Sequence, residues 1–201
     1  MPSAASSATK TARVGVLALQ GDFSEHLATL RGIGAEAVDV RRPEQLDDID
    51  ALIIPGGEST TIGKLAQNYG IIPKLQERAS AGMPVWGTCA GAIFLAKEVP
   101  GHPHPLAELM DITVERNAFG RQLDSFEADL DVDDLPGGPF HAVFIRAPKI
   151  TRTGPSVDVL ACLADGTVVA AREGNLLATS FHPELTGDER FHRLFLSFGK
   201  R

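Results

Sequence analysis

The stretch VWGTCAGAIFLA, residues 85–96, passes from an apolar strand pattern to an apolar helical one, with a cysteine between two glycines at the change. Gly87-Thr88-Cys89-Ala90-Gly91 is G-x-C-x-G, the thiol form of the nucleophile elbow, which belongs on a sharp strand-to-helix turn. Residues two before and two after the nucleophile pass close together there, so a side chain at Gly87 or Gly91 would clash. Cys89 also falls at a helix amino terminus, where unpaired N–H groups and the helix dipole favour a thiolate. The N–H of Ala90 would point to where an oxyanion forms. The pentapeptide alone also fits a buried structural cysteine. The predicted strand–turn–helix context is what favours the nucleophile.

Working outward, RVGVLALQ (13–20) is a continuous apolar run that predicts a buried parallel strand. DFSEHLATLRGIG follows, with Phe23, Leu27, Leu30 and Ile33 on one helical face, Asp22 or Ser24 to cap it and Gly34 to end it. AEAVDVR and DALIIPGG read as second and third strands, and residues 59–81 as helical segments broken near Gly70 and Pro73. MPVWGT is a fourth strand, and AGAIFLAKEV a helix. Alternating strands and helices imply a parallel sheet. After Pro100, DITVERNAFG, SFEADLDV, HAVFIRAP, VDVLACLADGTVVAARE and NLLATSFHPE are strand-like, with hairpin turns at Asp165-Gly166 and Gly174-Asn175. A last helix carries Phe191, Leu194, Phe195 and Phe198 on one stripe. Gln20-Gly21, Gly56-Gly57 and Cys89 each lie just past a predicted strand's carboxyl end, the edge where open α/β sheets bind ligands.

The chain has 201 residues, 43% hydrophobic and 22% charged, as in a soluble globular domain. A net charge of −7 argues against a nucleic-acid partner, and no run is long enough to span a membrane. Residues 1–12 are small and polar, lack a signal peptide's apolar stretch, and read as a disordered tail on a cytoplasmic protein. The two cysteines, Cys89 and Cys162, form no CxxC pair. Cys162 sits within an alternating strand pattern and reads as core.

A thiol nucleophile needs an imidazole oriented by a third group. His26 and His192 stand on the first and last helices beside polar neighbours; His102 and His104 lie in a Pro-rich loop without metal-ligand spacing; His141 begins a strand. His182 follows the apolar run LLATSF, and Glu184 stands two positions on, facing the same way in extended chain. PGGESTTIGK is not a phosphate loop, because its glycine spacing is one residue too long and Leu65 follows Lys64. Gly56 and Gly57 instead offer backbone N–H groups suited to an oxyanion.

In the order PGGEST, GTCAG, SFHPE, the chain resembles the class I (triad) glutamine amidotransferases. More narrowly, LALQGDFSEH, RRPEQL, VERNAFGRQLDSFE and FIRAP resemble the glutaminase subunits of pyridoxal 5′-phosphate synthase, over nearly all of residues 14–196. The resemblance implies an α/β, flavodoxin-like three-layer sandwich: a mostly parallel central sheet, helices on both faces, and antiparallel strands added in the C-terminal half. It implies one amidotransferase domain over residues 13–201, hydrolysis of L-glutamine to glutamate and ammonia, and transfer of the ammonia to a separate synthase subunit. It implies no cofactor and no metal. Cys89, His182 and Glu184 match the nucleophile, base and orienting carboxylate; Gly57, Glu58 and Ser59 match the glutamine-contacting turn; Arg116, Ile145 and Arg146 match the other glutamine contacts. Guanidinium groups suit the α-carboxylate of glutamine, and Glu58 its ammonium. Gln20 and the helix after it are candidates for the docking face. The competing readings are a cysteine peptidase or γ-glutamyl hydrolase on a similar fold, and a regulatory subunit with a fossil site.

Overall fold

A computed structural model describes residues 12–116 and 125–198. The first part of the chain alternates strand and helix as its pattern demands: β1 (Arg13–Leu17), α1 (Phe23–Gly32), β2 (Glu36–Val40), β3 (Ala51–Ile54), α2 (Ser59–Asn68), α3 (Ile71–Ser80), β4 (Val85–Thr88) and α4 (Ala90–Leu95). Then come β5 (Ala96–Glu98), β6 (Met110–Glu115), β7 (Ser125–Leu130), β8 (Phe140–Ile145), β9 (Lys149–Thr153), β10 (Asp158–Cys162), β11 (Val168–Glu173), β12 (Leu176–Thr179) and α5 (Arg190–Leu196).

The main sheet runs β2-β1-β3-β4-β12-β11-β9-β6-β5, with β10 on β11. The first five strands in that order are mutually parallel. From β12 on, β11, β9 and β6 join by antiparallel pairing, while β5 runs parallel to β6. Strand β12, from the far end of the sequence, lies beside β4 with Thr179 opposite Thr88. The elbow and the SFHPE segment therefore emerge from adjacent strands at one sheet edge.

Central strands are apolar throughout because both faces are covered. Leu52, Ile54 and Val85 pack on one face with Ile62 and Ala66 of α2, Ile71 and Leu75 of α3, and α4. Val14, Val16, Ile53 and Trp86 pack on the other with Leu27 and Leu30 of α1 and Phe191 and Phe195 of α5. The separate β7–β8 hairpin closes this second face through Leu130, Phe140, Ala142 and Phe144. Each fully buried Leu, Ile or Phe contributes about 1.5–3 kcal/mol.

The structure departs from the sequence expectations at several points. Helix α4 stops at Leu95, and residues 96–98 pair with β6 instead of extending the helix to Val99. The short connection around Pro100 and the exposed, unbranched Lys97 and Glu98 suit an edge strand there; the residue before a proline also resists helix. Strand β9 was not anticipated, because KITRT has one alternating apolar residue between charges. Cys162 is exposed, not core. Among the described residues strand β10 pairs only with β11, and its register slips between Val159 and Ala161 and again before Cys162, which overturns the simple alternation. Gly34 closes α1 as expected, at φ 84° with its N–H donating to Arg31 O and the Ala35 N–H donating to Leu30 O, whereas Asp22 precedes the helix without a side-chain capping bond. Most of the expected N-terminal tail, residues 1–11, and residues 117–124 of the VERNAFGRQLDSFE motif lie outside the described residues.

Candidate active site

Cys89 occupies the elbow with φ 48° and ψ −105°, a conformation few side-chain-bearing residues adopt. Such strain costs about 1–3 kcal/mol and persists only where surroundings impose it. The surroundings here are specific. The Cys89 N–H donates to Thr179 O at 2.8 Å, tying the turn to β12. A Cβ at Gly87 would meet the carbonyl of Gly91 at 2.4 Å, and one at Gly91 would meet Ile54 O at 2.0 Å. Both glycines are therefore required by close backbone approach, as the sequence motif implies. Ala90 is the first residue of α4 and is buried.

His182 follows β12 and is 4% exposed. Its N–H donates to Val143 O at 2.8 Å, and its Nδ1 lies 2.7 Å from Glu184 Oε1. The two residues meet through a 3₁₀ turn over Pro183–Leu185, not through the extended chain that their spacing suggested. Since the carboxylate accepts, Nδ1 carries the proton and Nε2 is left to face Cys89. Burial lowers the basicity of His182, but hydrogen bonds and charge attraction from Cys89 and Glu184 outweigh it and raise its pKa to about 10. Burial pushes the Glu184 carboxyl upward, and the His182 contact works against that push. The arrangement favours an imidazolium at His182.

The other expected residues converge on this pair. The Gly56-Gly57 turn packs against the imidazole: a Cβ at Gly56 would lie 2.4 Å from His182 Cε1. Gly57 has φ +151°, and a Cβ there would lie 2.4 Å from Gln20 Oε1. That Gln20 oxygen accepts the Glu58 N–H at 2.6 Å, so the loop after β1 braces the loop after β3. Glu58 caps α2, accepting from the N–H groups of Thr60 and Thr61 at 3.1 and 2.8 Å. Ser59, the first residue of α2, is buried. Arg116, just past β6, places Nη2 3.5 Å from Glu58 Oε1 and Nη1 2.9 Å from His102 Nδ1. Ile145 closes β8, and its carbonyl oxygen lies 3.7 Å from Cys89 Sγ. Arg146 is exposed and has φ 45°. The loop before β8 is fixed by Arg190, which donates to the carbonyls of Pro136, Gly138 and Pro139 at 3.2, 2.8 and 2.9 Å.

Cys89, His182 and Glu184 thus stand together beside a glycine turn and the Arg116–Glu58 pair. A profile described as the SNO glutamine amidotransferase family matches residues 16–199. The chain belongs to that family. It is 60% identical over 186 residues to the pyridoxal 5′-phosphate synthase subunit PdxT of Herpetosiphon aurantiacus, covering 91% of this chain and 98% of that protein. It is 61% identical over 190 residues to a Dehalococcoides mccartyi protein of the same name, covering 94% and 97%. Among solved structures, a glutamine amidotransferase superposes with a TM-score of 0.87 at 57% identity, covering 91% of this chain and 96% of that one. The PurLQS structure from Thermotoga maritima, 18% identical with a TM-score of 0.68 over 94% of this chain and 92% of that one, shares the fold.

Three features escaped the sequence reading. Asp22, expected as a helix cap, instead has Oδ2 3.6 Å from His182 Nδ1. His102, read only as part of a Pro-rich loop without metal-ligand spacing, accepts a hydrogen bond from Arg116. His26 and His192 are completely buried behind Glu184. For His26 the signal was present: position 26 lies in the stripe formed by Phe23, Leu27 and Leu30, so it faces the core.

Proposed function

We propose that Cys89 attacks the side-chain carboxamide carbon of L-glutamine, with His182 as acid and base and Glu184 orienting it. The Nε2 proton of the imidazolium passes to the departing amine, releasing ammonia and leaving a glutamyl thioester on Cys89. His182, now neutral, takes a proton from water, which attacks the thioester and frees glutamate. The N–H groups of Ala90 and of the Gly56-Gly57 turn are the oxyanion donors in this reading, each worth about 10²–10³ in rate. Gly57, Glu58, Ser59, Arg116, Ile145 and Arg146 form the glutamine pocket.

The chain is a glutaminase of vitamin B6 biosynthesis, the glutamine-hydrolysing subunit of pyridoxal 5′-phosphate synthase, and passes its ammonia to the synthase subunit. The observation that carries the chemistry is the strained thiol at the end of β4 beside an imidazole that Glu184 holds at 2.7 Å and whose pKa Cys89 and Glu184 raise against its burial. Near-full-length identity to two proteins named as that synthase's subunit disfavours the peptidase and γ-glutamyl hydrolase readings. Residues 13–201 act as one domain in this account. Among the described residues no helix is long and apolar enough to cross a membrane, and a cytoplasmic location goes with the biosynthetic role.

Ammonia release from glutamine, measured with and without the synthase subunit, tests the reading. Wild-type chain should be much faster with the partner, and Cys89→Ala should be inactive in both conditions while still binding the partner. Turnover by Cys89→Ala close to wild type would refute the assignment of the nucleophile.

A further inference from the structure

Behind the triad lies a polar chain that the glutaminase reaction does not use. Glu184 Oε1 is taken up by His182, and its other oxygen, Oε2, lies 3.3 Å from His26 Nε2, with both side chains fully buried. The same His26 nitrogen lies 3.3 Å from Thr88 Oγ1, one residue before the nucleophile. On the other side of the ring, His26 Nδ1 is 3.0 Å from His192 Nε2. The one tryptophan of the chain, Trp86, packs edge-on against both imidazoles, with centroids 5.8 Å from His26 and 5.0 Å from His192.

The hydrogen-bond pattern selects one tautomer. If His26 carried its proton on Nδ1, its Nε2 lone pair would face a carboxylate oxygen, and His192 would have to accept at Nε2. His192 Nδ1, which has no hydrogen-bond partner, would then be an unpaired buried N–H. With the proton on His26 Nε2, the N–H lies between Thr88 Oγ1 and Glu184 Oε2. Nδ1 then accepts from His192 Nε2–H, and the group left unpaired is only an acceptor. A buried unpaired donor costs about 1–3 kcal/mol, and a lone pair against a carboxylate adds repulsion, so the second arrangement prevails. The titratable groups that face His26 are His192, Glu184 and His182. Burial first, then His192 and His182, hold its pKa well below the ordinary value. Burial alone holds that of His192 at about 4. Both are neutral at working pH, so His26 is a fixed dipole and not a second charge.

We infer that His26 is a positioning residue for the glutaminase triad: its Nε2–H, beside Thr88 Oγ1 at rest and 3.3 Å from the outer oxygen of Glu184, takes up that oxygen as charge develops on the triad, and His192 fixes which ring nitrogen carries that proton. This rests on the triad reading of Cys89, His182 and Glu184. Glu184 Oε2 sits off the direct N–H line in the resting geometry and has no aligned hydrogen-bond donor there. Such contacts tighten when charge develops. Held in place and ionised, Glu184 keeps His182 protonated to high pH. Without the donor, Glu184 is harder to ionise and His182 gives up its proton earlier.

The test uses the full chain in complex with the synthase subunit. It compares His26→Phe, which keeps a ring against Trp86 but has no donor, with His26→Gln, which restores an N–H near the Nε2 position. His26→Phe should lower kcat about tenfold with KM unchanged, and should move the alkaline limb of kcat/KM down by roughly one pH unit. His26→Gln should recover most of both. A wild-type profile for His26→Phe overturns the inference. So do equal losses in both variants with the limb unmoved, since that is what a purely structural role would give. If His26→Phe does not fold, ¹⁵N imidazole shifts of the unaltered protein decide: Nε2–H on His26 is expected, and Nδ1–H overturns the inference. Cys89→Ala runs alongside. Turnover by that variant would bring down the triad itself, whereas wild-type behaviour of His26→Phe beside an inactive Cys89→Ala removes only the role given to His26.

Discussion

The parallel half of the sheet and its antiparallel additions meet at the active edge and contribute different things. Loops after β1, β3, β4 and β12 bring Gln20, the Gly56-Gly57 turn, Cys89 and His182, all from strands hydrogen-bonded side by side. These groups are locked by backbone contacts such as Cys89 N–H to Thr179 O and the close approach of Gly91 to Ile54. The additions bring Arg116 after β6 and Ile145-Arg146 after β8, as exposed or half-buried ends. Each region presents a side-chain-bearing residue at positive φ, Cys89 at 48° and Arg146 at 45°, and Cys89 Sγ faces the carbonyl of Ile145 between them. In the proposed mechanism the bond-making groups sit on the parallel core, whose β3 loop also carries Gly57, Glu58 and Ser59 of the proposed glutamine pocket, while the other proposed contacts, Arg116, Ile145 and Arg146, come from the peripheral strands.

If that division is right, substitutions of Cys89, His182 and Glu184 should act on kcat and those of Arg116 and Arg146 on KM. After loss of the nucleophile itself, the largest effect belongs to Glu184→Gln. Its kcat should fall by roughly 10²-fold. Because His182 is held protonated up to about pH 10 by Cys89 and Glu184 against its own burial, losing the Glu184 charge lowers that value. The alkaline limb of kcat/KM then moves to lower pH; a limb moving upward would contradict the assignment. A smaller effect is expected for Arg116→Lys. KM for glutamine should rise about tenfold with kcat nearly unchanged, since an ammonium cannot give a carboxylate the two parallel hydrogen bonds of a guanidinium. A fall in kcat at constant KM would break the division. Smallest of all, Cys162→Ser on the exposed edge strand should change neither parameter, and stability by no more than about 0.5 kcal/mol as read from thermal unfolding.

The same contrast explains what the amino-acid sequence disclosed. Strands buried on both faces, such as Val14–Leu17 and Ala51–Ile54, leave unbroken apolar runs, and the elbow needs glycines at fixed places. The parallel half and the catalytic loops were therefore legible. The additions were not, because one face of an edge strand can be polar and a bulge resets the alternation. Residues 96–98 went unrecognised as a strand for the first reason and Cys162 was misplaced for the second, while KITRT lies inside the sheet between β11 and β6 yet buries only Ile150 and so leaves no apolar run. The residues around Glu184 were obscure for another reason: a buried histidine looks polar in a sequence, and only the packing of α1 against α5 shows that His26 and His192 meet. Likewise the fixing of Arg116 by His102 depends on a loop fold that PGHPHP does not announce.

The most direct test of the central claim is intact-mass and peptide analysis of the complex quenched in acid during glutamine turnover. A glutamyl adduct on the peptide holding Cys89, absent from the one holding Cys162 and from the Cys89→Ala variant, is the predicted result. Steady ammonia release with no adduct on Cys89 would contradict it.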